Sequence, residues 1–314
     1  MLGRTANALF WMFRYLERME NTARLLDAGL RMSLTRDAVS AEEEWRSVIQ
    51  AAGQRAGYEA QNSSYTGMQA WNYILRDKTN PASVLEIFGK VRSNAREARS
   101  SISSEVWESI NDSWMQISDM LAKPIGEQRV GDAVTAIRRG GTQAHGAMLG
   151  SMLRNEGFHF ARAGTFVERG DNIARILDIK YYLLLPSLSY VGSSLDTGQW
   201  DTILRSVSGD SAYRWLNAGQ IDAKGIVEFL VLDDRFPRSL AYSHAMLREN
   251  LAALARIHGK EGTCNELMRE ADIKLSDKTI DEIFDQGLHD FLVEFTNCNS
   301  AIASAIGDDY RFHA

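Results

Sequence analysis

Apolar residues return every three to four positions along most of this 314-residue chain, the period of a helix with one buried face. The pattern predicts helices over roughly 4–32, 41–56, 66–76, 81–102, 104–121, 129–138, 142–154, 159–185, 222–232, 236–257 and 276–305. No run alternates apolar and polar residues cleanly enough for a strand. Breaker clusters mark loops at Asn62-Ser63-Ser64, Lys78-Thr79-Asn80-Pro81, Gly140-Gly141, Pro186 through Gly198 and Gly259 through Gly262. The expected fold class is all-α, a helical bundle, and the count of four prolines suits long helices.

One polar phrase occurs twice inside this pattern. Residues 15–27 read YLERMENTARLLD and residues 166–178 read FVERGDNIARILD, a gapless match at an offset of 151. Identical are Glu17/Glu168, Arg18/Arg169, Asn21/Asn172, Ala23/Ala174, Arg24/Arg175, Leu26/Leu177 and Asp27/Asp178. Glu20 and Asp171 keep their charge. A second pair follows in the same order: WNYILRDKTNPASV (71–84) matches VEFLVLDDRFPRSL (227–240) at an offset of 156. It keeps Asp77/Asp233, Pro81/Pro237 and Ser83/Ser239, and further on Arg92/Arg248 and Asn94/Asn250. These repeats predict a single domain made by internal duplication, with a first helical half over 1–140 and a second over 141–314. The halves would pack about a pseudo-twofold axis with helices 4–32 and 159–185 as its central pair. Pro81 and Pro237 are expected at helix starts, where a missing N–H costs nothing.

Composition narrows the classes. Hydrophobic content of 45% and charged content of 24% are those of an ordinary globular protein. A net charge of −6 argues against general affinity for nucleic-acid phosphates. No segment reaches the roughly 18 apolar residues a membrane helix needs. The N-terminus reads as a structural helix rather than a secretory signal. Cys264 and Cys298 lack metal-type spacing and fit ordinary packing in a reducing compartment, so the expected location is the cytoplasm.

The repeated phrase carries the candidate chemistry, because what it preserves is mostly charge. On a helical wheel of about 100° per residue, Glu17, Glu20, Asn21, Arg24 and Asp27 share an arc of roughly 120°. The rest of the wheel is mostly apolar, so the helix and its charges should be largely buried, and buried charges need partners. Glu20 with Arg24, and Arg24 with Asp27, sit at pairing distances along one helix. Asp171, Arg175 and Asp178 repeat that spacing. Glu17 and Glu168 lack a basic neighbour one turn away, and Arg92 and Arg248 are the expected partners from other helices. Arg18 and Arg169 should face elsewhere.

Three readings of this face stand side by side: a structural ion-pair network, a polar pocket for a small charged ligand or peptide group, and a carboxylate metal site. The pocket reading draws on Glu17, Asn21, Arg24, Glu168, Asn172, Arg175, Arg92 and Arg248. As an enzyme, the chain would use Glu17 or Glu168 as general base, with Arg24 or Arg175 stabilising an oxyanion. The metal reading is weakened by the absence of the Glu-x-x-His spacing of di-iron bundles. His145 falls in the Gly-Gly segment and reads as part of an interhelical linker. His159 reads as structural or capping, and His244, beside Arg248, as a lesser pocket candidate.

MLGRTANALFWMFRYLERMENTARLLD (1–27) with FVERGDNIARILD (166–178) resembles the Alpha-E family, bacterial all-helical proteins named for an E-R motif. The resemblance extends to NPASV with SNAREARSSISSEVWE (80–108) and to DDRFPRSLAYSHAMLREN (233–250). The motif maps onto Glu17-Arg18 and Glu168-Arg169, and Gly3 stands where the family's opening MLSRTA has serine. The resemblance implies a partner, because family members are encoded beside, or fused to, a circularly permuted ATP-grasp protein, often with a transglutaminase-like protein. It therefore implies a role in peptide synthesis or modification. The sequence holds no P-loop, no recognisable nucleotide site and no nucleophile–base pair, which favours an accessory or substrate-binding subunit, and no cofactor or metal is expected. No nucleic acid or membrane partner is expected.

Overall fold

The structure, a computed structural model, describes residues 1–33, 38–183, 194–218 and 221–313. Among the described residues there are fifteen α-helices and one 3-10 turn, and no strand. The chain divides into two compact units. One is Tyr15–Met152; the other is Met1–Arg14 together with Leu153–Ala314. Helix α1 (Gly3–Ser33) contributes its first turns to the second of these and the remainder to the first.

In the unit Tyr15–Met152, α1 is followed by α2 (Ala38–Ala51), α3 (Arg55–Glu59), α4 (Gly67–Arg76), α5 (Val84–Glu97), α6 (Ser104–Met120) and α7 (Glu127–Ser151). Helix α4 packs on α2 and α5, and α6 packs on α5 and α7. The core takes Leu16, Met19, Leu26, Ile74, Phe88, Val91, Ile110 and Ile137, all at or near zero exposure. Helix α7 corrects the expected break at Gly140-Gly141. The two glycines lie inside one continuous helix, and both are buried. They are there for close approach, not for a turn. A Cβ on Gly140 would sit 2.9 Å from the Ser113 hydroxyl of α6, and one on Gly141 2.9 Å from a Glu20 carboxylate oxygen of α1.

In the other unit, α8 (Glu156–Leu183) is the central element and packs on α12 (Leu240–His258) and α15 (Leu288–Asp309). Helix α13 (Thr263–Ser276) covers α12 and α15. The shorter α9 (Ser194–Ser206), α10 (Asp210–Leu216), α11 (Ala223–Val231) and α14 (Ile280–Gln286) close a core of Leu177, Leu204, Ile226, Leu230, Ile283 and Leu292. Gly164 of α8 meets α1 so closely that a Cβ there would lie 2.1 Å from the Phe10 carbonyl oxygen.

The sequence pattern missed α9, α10 and α13, and it fused α14 with α15. The fused span 276–305 is cut at Gly287, whose φ of +99° takes the chain out of the helix. The predicted loop from Pro186 to Gly198 lies outside the described residues as far as 193; from Ser194 it is the start of α9. Gly259, at φ +70°, ends α12 as expected of a left-handed C-cap.

The second repeat forms matching turns in the two units. Asp77 accepts from the Thr79 N–H at 2.8 Å, and Asp233 from the Arg235 N–H at 2.9 Å. Ser83 then caps α5 and Ser239 caps α12, accepting from the Glu86 and Tyr242 N–H groups. The prolines thus precede the cap by two residues instead of opening the helix, and the shared serines start both helices.

Candidate functional site

The E-R words lie on α1 and α8, two helices that are apolar over most of their circumference, and both glutamates are buried completely. Glu17 and Glu168 are 0% exposed. The arginine of each word turns away and lies over the ring three residues earlier: Arg18 over Tyr15 at 5.8 Å, Arg169 over Phe166 at 5.2 Å. Arg169 also donates to the Pro237 carbonyl. The expectation that the arginines face other neighbours than the glutamates do is what the structure shows.

Around Glu168 a network closes. Its Oε2 accepts from Arg14 Nε at 2.9 Å, and its Oε1 lies 3.4 Å from an Arg175 Nη. The second nitrogen edge of Arg14 donates to Asp171 at 3.1 Å. Asn299 of α15 donates to the other oxygen of Asp171 at 2.6 Å and to the Val167 carbonyl at 2.8 Å. Burial first, and then the charge of Glu168, push the Asp171 pKa up from its ordinary value. Arg175 reaches the Asp171 backbone carbonyl through Nε. Asn172 is half-buried and joins none of these bonds.

Around Glu17 the same word makes a different set. Asn21 donates to Glu17 Oε1 at 3.3 Å, and His145 Nε2 of α7 lies 3.5 Å from Oε2. Arg24 donates to Glu20 through Nε and an Nη, at 3.1 and 2.5 Å. Asp27 meets Arg31 and Arg138, while Asp178 meets His289 Nδ1 at 2.5 Å. The divergence at Glu20/Asp171 follows from one methylene. The longer Glu20 reaches its own Arg24, whereas the shorter Asp171 leaves Arg175 to its backbone and turns its carboxylate to Arg14.

The expected partners of the glutamates are corrected. Arg92 donates to Asn111 at 3.0 Å and lies over Trp114, and Arg248 pairs with Asp272 at the surface. Arg14 and His145 take the places assigned to them. Arg14 precedes the repeated word by one residue, and its match in the second copy is Thr165, so the repeat itself could not point to it. His145 looked like a linker residue only because the glycines beside it were read as a turn. His159 bonds Asn250 at 2.9 Å, the structural role expected of it. Cys264 is buried with its thiol pKa raised by burial, as inert packing requires. Among the described residues, no three His, Cys, Asp or Glu side chains come together to hold a metal.

Arg14 also borders open space. A cleft of about 370 Å³ runs between α1 and α15, lined by Asn7, Trp11, Arg14, Ser300, Ser304 and Asp308. The Asn7 Oδ1 in its wall is buried without a hydrogen-bond partner. In the other unit Arg24 borders a groove of about 330 Å³ with Arg138, Arg139 and Thr142 of α7. Both cavities therefore present arginine fixed by buried carboxylates of the repeated word.

The molecule is thus defined as an all-helical protein whose E-R words carry buried ion-pair networks beside cavities bordered by arginine. Residues 1–310 match the model of the Alpha-E family, described as "a predicted alpha-helical domain with a conserved ER motif", and the chain belongs to that family. Uncharacterised proteins of Mycobacterium bovis and of one strain of Mycobacterium tuberculosis are each 26% identical to it over 277 residues, and one of a second tuberculosis strain is 25% identical. Each match covers 80% of this chain and 30% of the relative, so the chain spans under a third of the length of these proteins. No solved structure matches. Among the described residues no helix is long and apolar enough to cross a membrane.

Proposed function

We propose that this chain is a non-catalytic, substrate-binding or accessory subunit that works in the cytoplasm with an ATP-grasp-type ligase in amide-bond synthesis or modification. The cleft at Arg14 is its ligand site, and the ligand is a peptide or amino acid. The observation that carries this reading is the double anchoring of Arg14 by Glu168 and Asp171 at the edge of that cleft. A guanidinium held this way is preorganised for a carboxylate. Asn7 Oδ1 offers an acceptor for an amide N–H, and Asp308 a counter-charge for an ammonium. Glu168 is a poor general base here, because two guanidinium groups hold its charge.

The family resemblance supplies the ligase, with a transglutaminase-like protein as a further partner. Relatives in which the matching part is under a third of a longer chain suit a module that acts with others. We further infer that the chain arose by duplication. The matched turns at Asp77 and Asp233 support this. So do the Asp27–Arg138 and Asp178–His289 contacts, which are each 111 residues apart.

The test is to purify the chain alone and with a co-expressed ATP-grasp ligase from the same genome. The expected result is no ATP turnover by the chain alone, co-purification with the ligase, and weaker product formation by the pair when the chain carries Arg14→Gln. Ligation by the isolated chain would overturn the proposal, and so would failure to associate.

A further inference from the structure

A second cavity, of about 220 Å³, lies in the same unit between α12, α13 and α15, away from the residues named for ligand binding above. Phe291, Phe295, Leu275 and Ala271 wall it, and Lys274, Lys278, Glu294, Cys298 and His244 complete its lining. His244 is the anomaly. It is 2% exposed, its ring stacks on Phe295 at 4.5 Å, and neither ring nitrogen has a hydrogen-bond partner. Buried polar groups nearly always have one, and leaving one unmade is costly. At the repeat offset of 156 residues the matching position is Phe88, an ordinary core ring at 0% exposure. An imidazole therefore stands where apolar packing alone would be satisfied by a phenyl ring. Burial holds it neutral, with its pKa lowered to about 4, so it can both donate and accept.

The mouth of the cavity has the opposite character. Lys274 pairs with Glu294 at 2.8 Å, and Gln286 donates to the same glutamate. Lys278 donates to the neutral Gln286 amide oxygen at 2.6 Å and makes no direct ion pair, although its charge is felt by Glu294 and Glu282. The cavity thus runs from a neutral imidazole at its buried end, past aromatic walls, to a lysine ammonium at its rim that is held by no direct ion pair.

We propose that this cavity is a binding site for a small aromatic acid whose carboxylate meets Lys278 and whose far end carries a hydroxyl group that hydrogen-bonds His244. The ring fills the space between Phe291 and Phe295, where aromatic packing adds to burial. The hydroxyl gives the imidazole the partner the fold denies it. A pocket built to hydrogen-bond a hydroxyl discriminates strongly against the analogue that lacks it.

Calorimetric titration of the whole chain with 4-hydroxyphenylacetate, phenylacetate and 4-hydroxybenzyl alcohol tests this. The wild type should bind 4-hydroxyphenylacetate and bind each of the others about tenfold more weakly, the worth of one such contact. His244→Phe, which copies Phe88, should remove the preference for the hydroxyl while leaving phenylacetate affinity as it was. Lys278→Met should weaken both acids about tenfold and leave the alcohol unchanged. The proposal is overturned if the wild type binds no probe at millimolar concentration. It is equally overturned if neither the His244 nor the Lys278 variant changes the preference among them.

Discussion

Arg14 of α1 reaches Glu168 of α8 through Nε at 2.9 Å and Asp171, one helical turn further on, at 3.1 Å. One cation thus spans two buried carboxylates. The Glu168 side chain is 1% exposed and that of Arg14 12%, so water can replace little of what this contact supplies. Desolvating such ions costs several kcal/mol each, and the pair recovers that cost only while all its members are present.

Arg14→Met should therefore destabilise the protein by about 3–5 kcal/mol, since it leaves two carboxylates buried with Arg175 as the remaining cation. Adding Glu168→Gln to that variant should restore part of the loss, because one stranded charge is gone. Urea unfolding of the wild type, both single variants and the double variant gives the coupling energy directly. Losses that add to within about 0.5 kcal/mol would show that the two residues do not form one network.

The glycines on α7 and α8 make a sharper prediction, because they look alike in sequence and differ in surroundings. A Cβ at Gly164 would lie 2.1 Å from a backbone oxygen of α1, which no side-chain rotation relieves. Gly146 and Gly131 of α7 have nothing within 4 Å of such an atom. Gly164→Ala should cost about 3 kcal/mol or more, despite the better helix propensity of alanine. Gly146→Ala and Gly131→Ala should each stabilise by about 0.5–1 kcal/mol. Thermal unfolding of the three variants separates the cases, and a neutral Gly164→Ala would refute the close helix contact.

The same glycines show what the sequence could and could not convey. Helix α1 was legible almost to the residue, because a long apolar periodicity with charges on one arc admits few alternatives. The burial of Glu17 and Glu168 was legible for the same reason. Gly140-Gly141 misled, because a glycine that permits close packing and one that permits a turn are written identically. Helices α9, α10 and α13 were missed, and of these only α10, at seven residues, is too short to show a clear period. The partners of the glutamates were beyond reach. Arg92 and Arg248 match at the repeat offset, yet tertiary packing gave Glu168 an arginine that the repeated word does not contain. Local spacing specifies which residues are buried, while long-range partners depend on helix crossings that no window of sequence contains.

His244 contributes to the acid limb of the stability curve. Its folded-state pKa, lowered to about 4 by burial, lies below the ordinary 6.5, so between these values the unfolded chain binds more protons than the folded one. Stability from this residue is complete above pH 6.5 and is lost as the pH falls toward 4, by up to roughly 3 kcal/mol. Lys274, Lys278, Glu294 and Cys298 line the same cavity, and none offers the ring a hydrogen bond. Asp171 acts with the opposite sign. Its raised pKa means the folded protein keeps a proton that the unfolded chain releases above 3.8, so its contribution is largest in acid and declines as pH rises. Urea midpoints measured from pH 7.5 down to about pH 4 should fall for the wild type. The decline should flatten in His244→Phe and steepen in Asp171→Asn. A His244→Phe variant that still loses stability like the wild type would place the acid-labile group elsewhere.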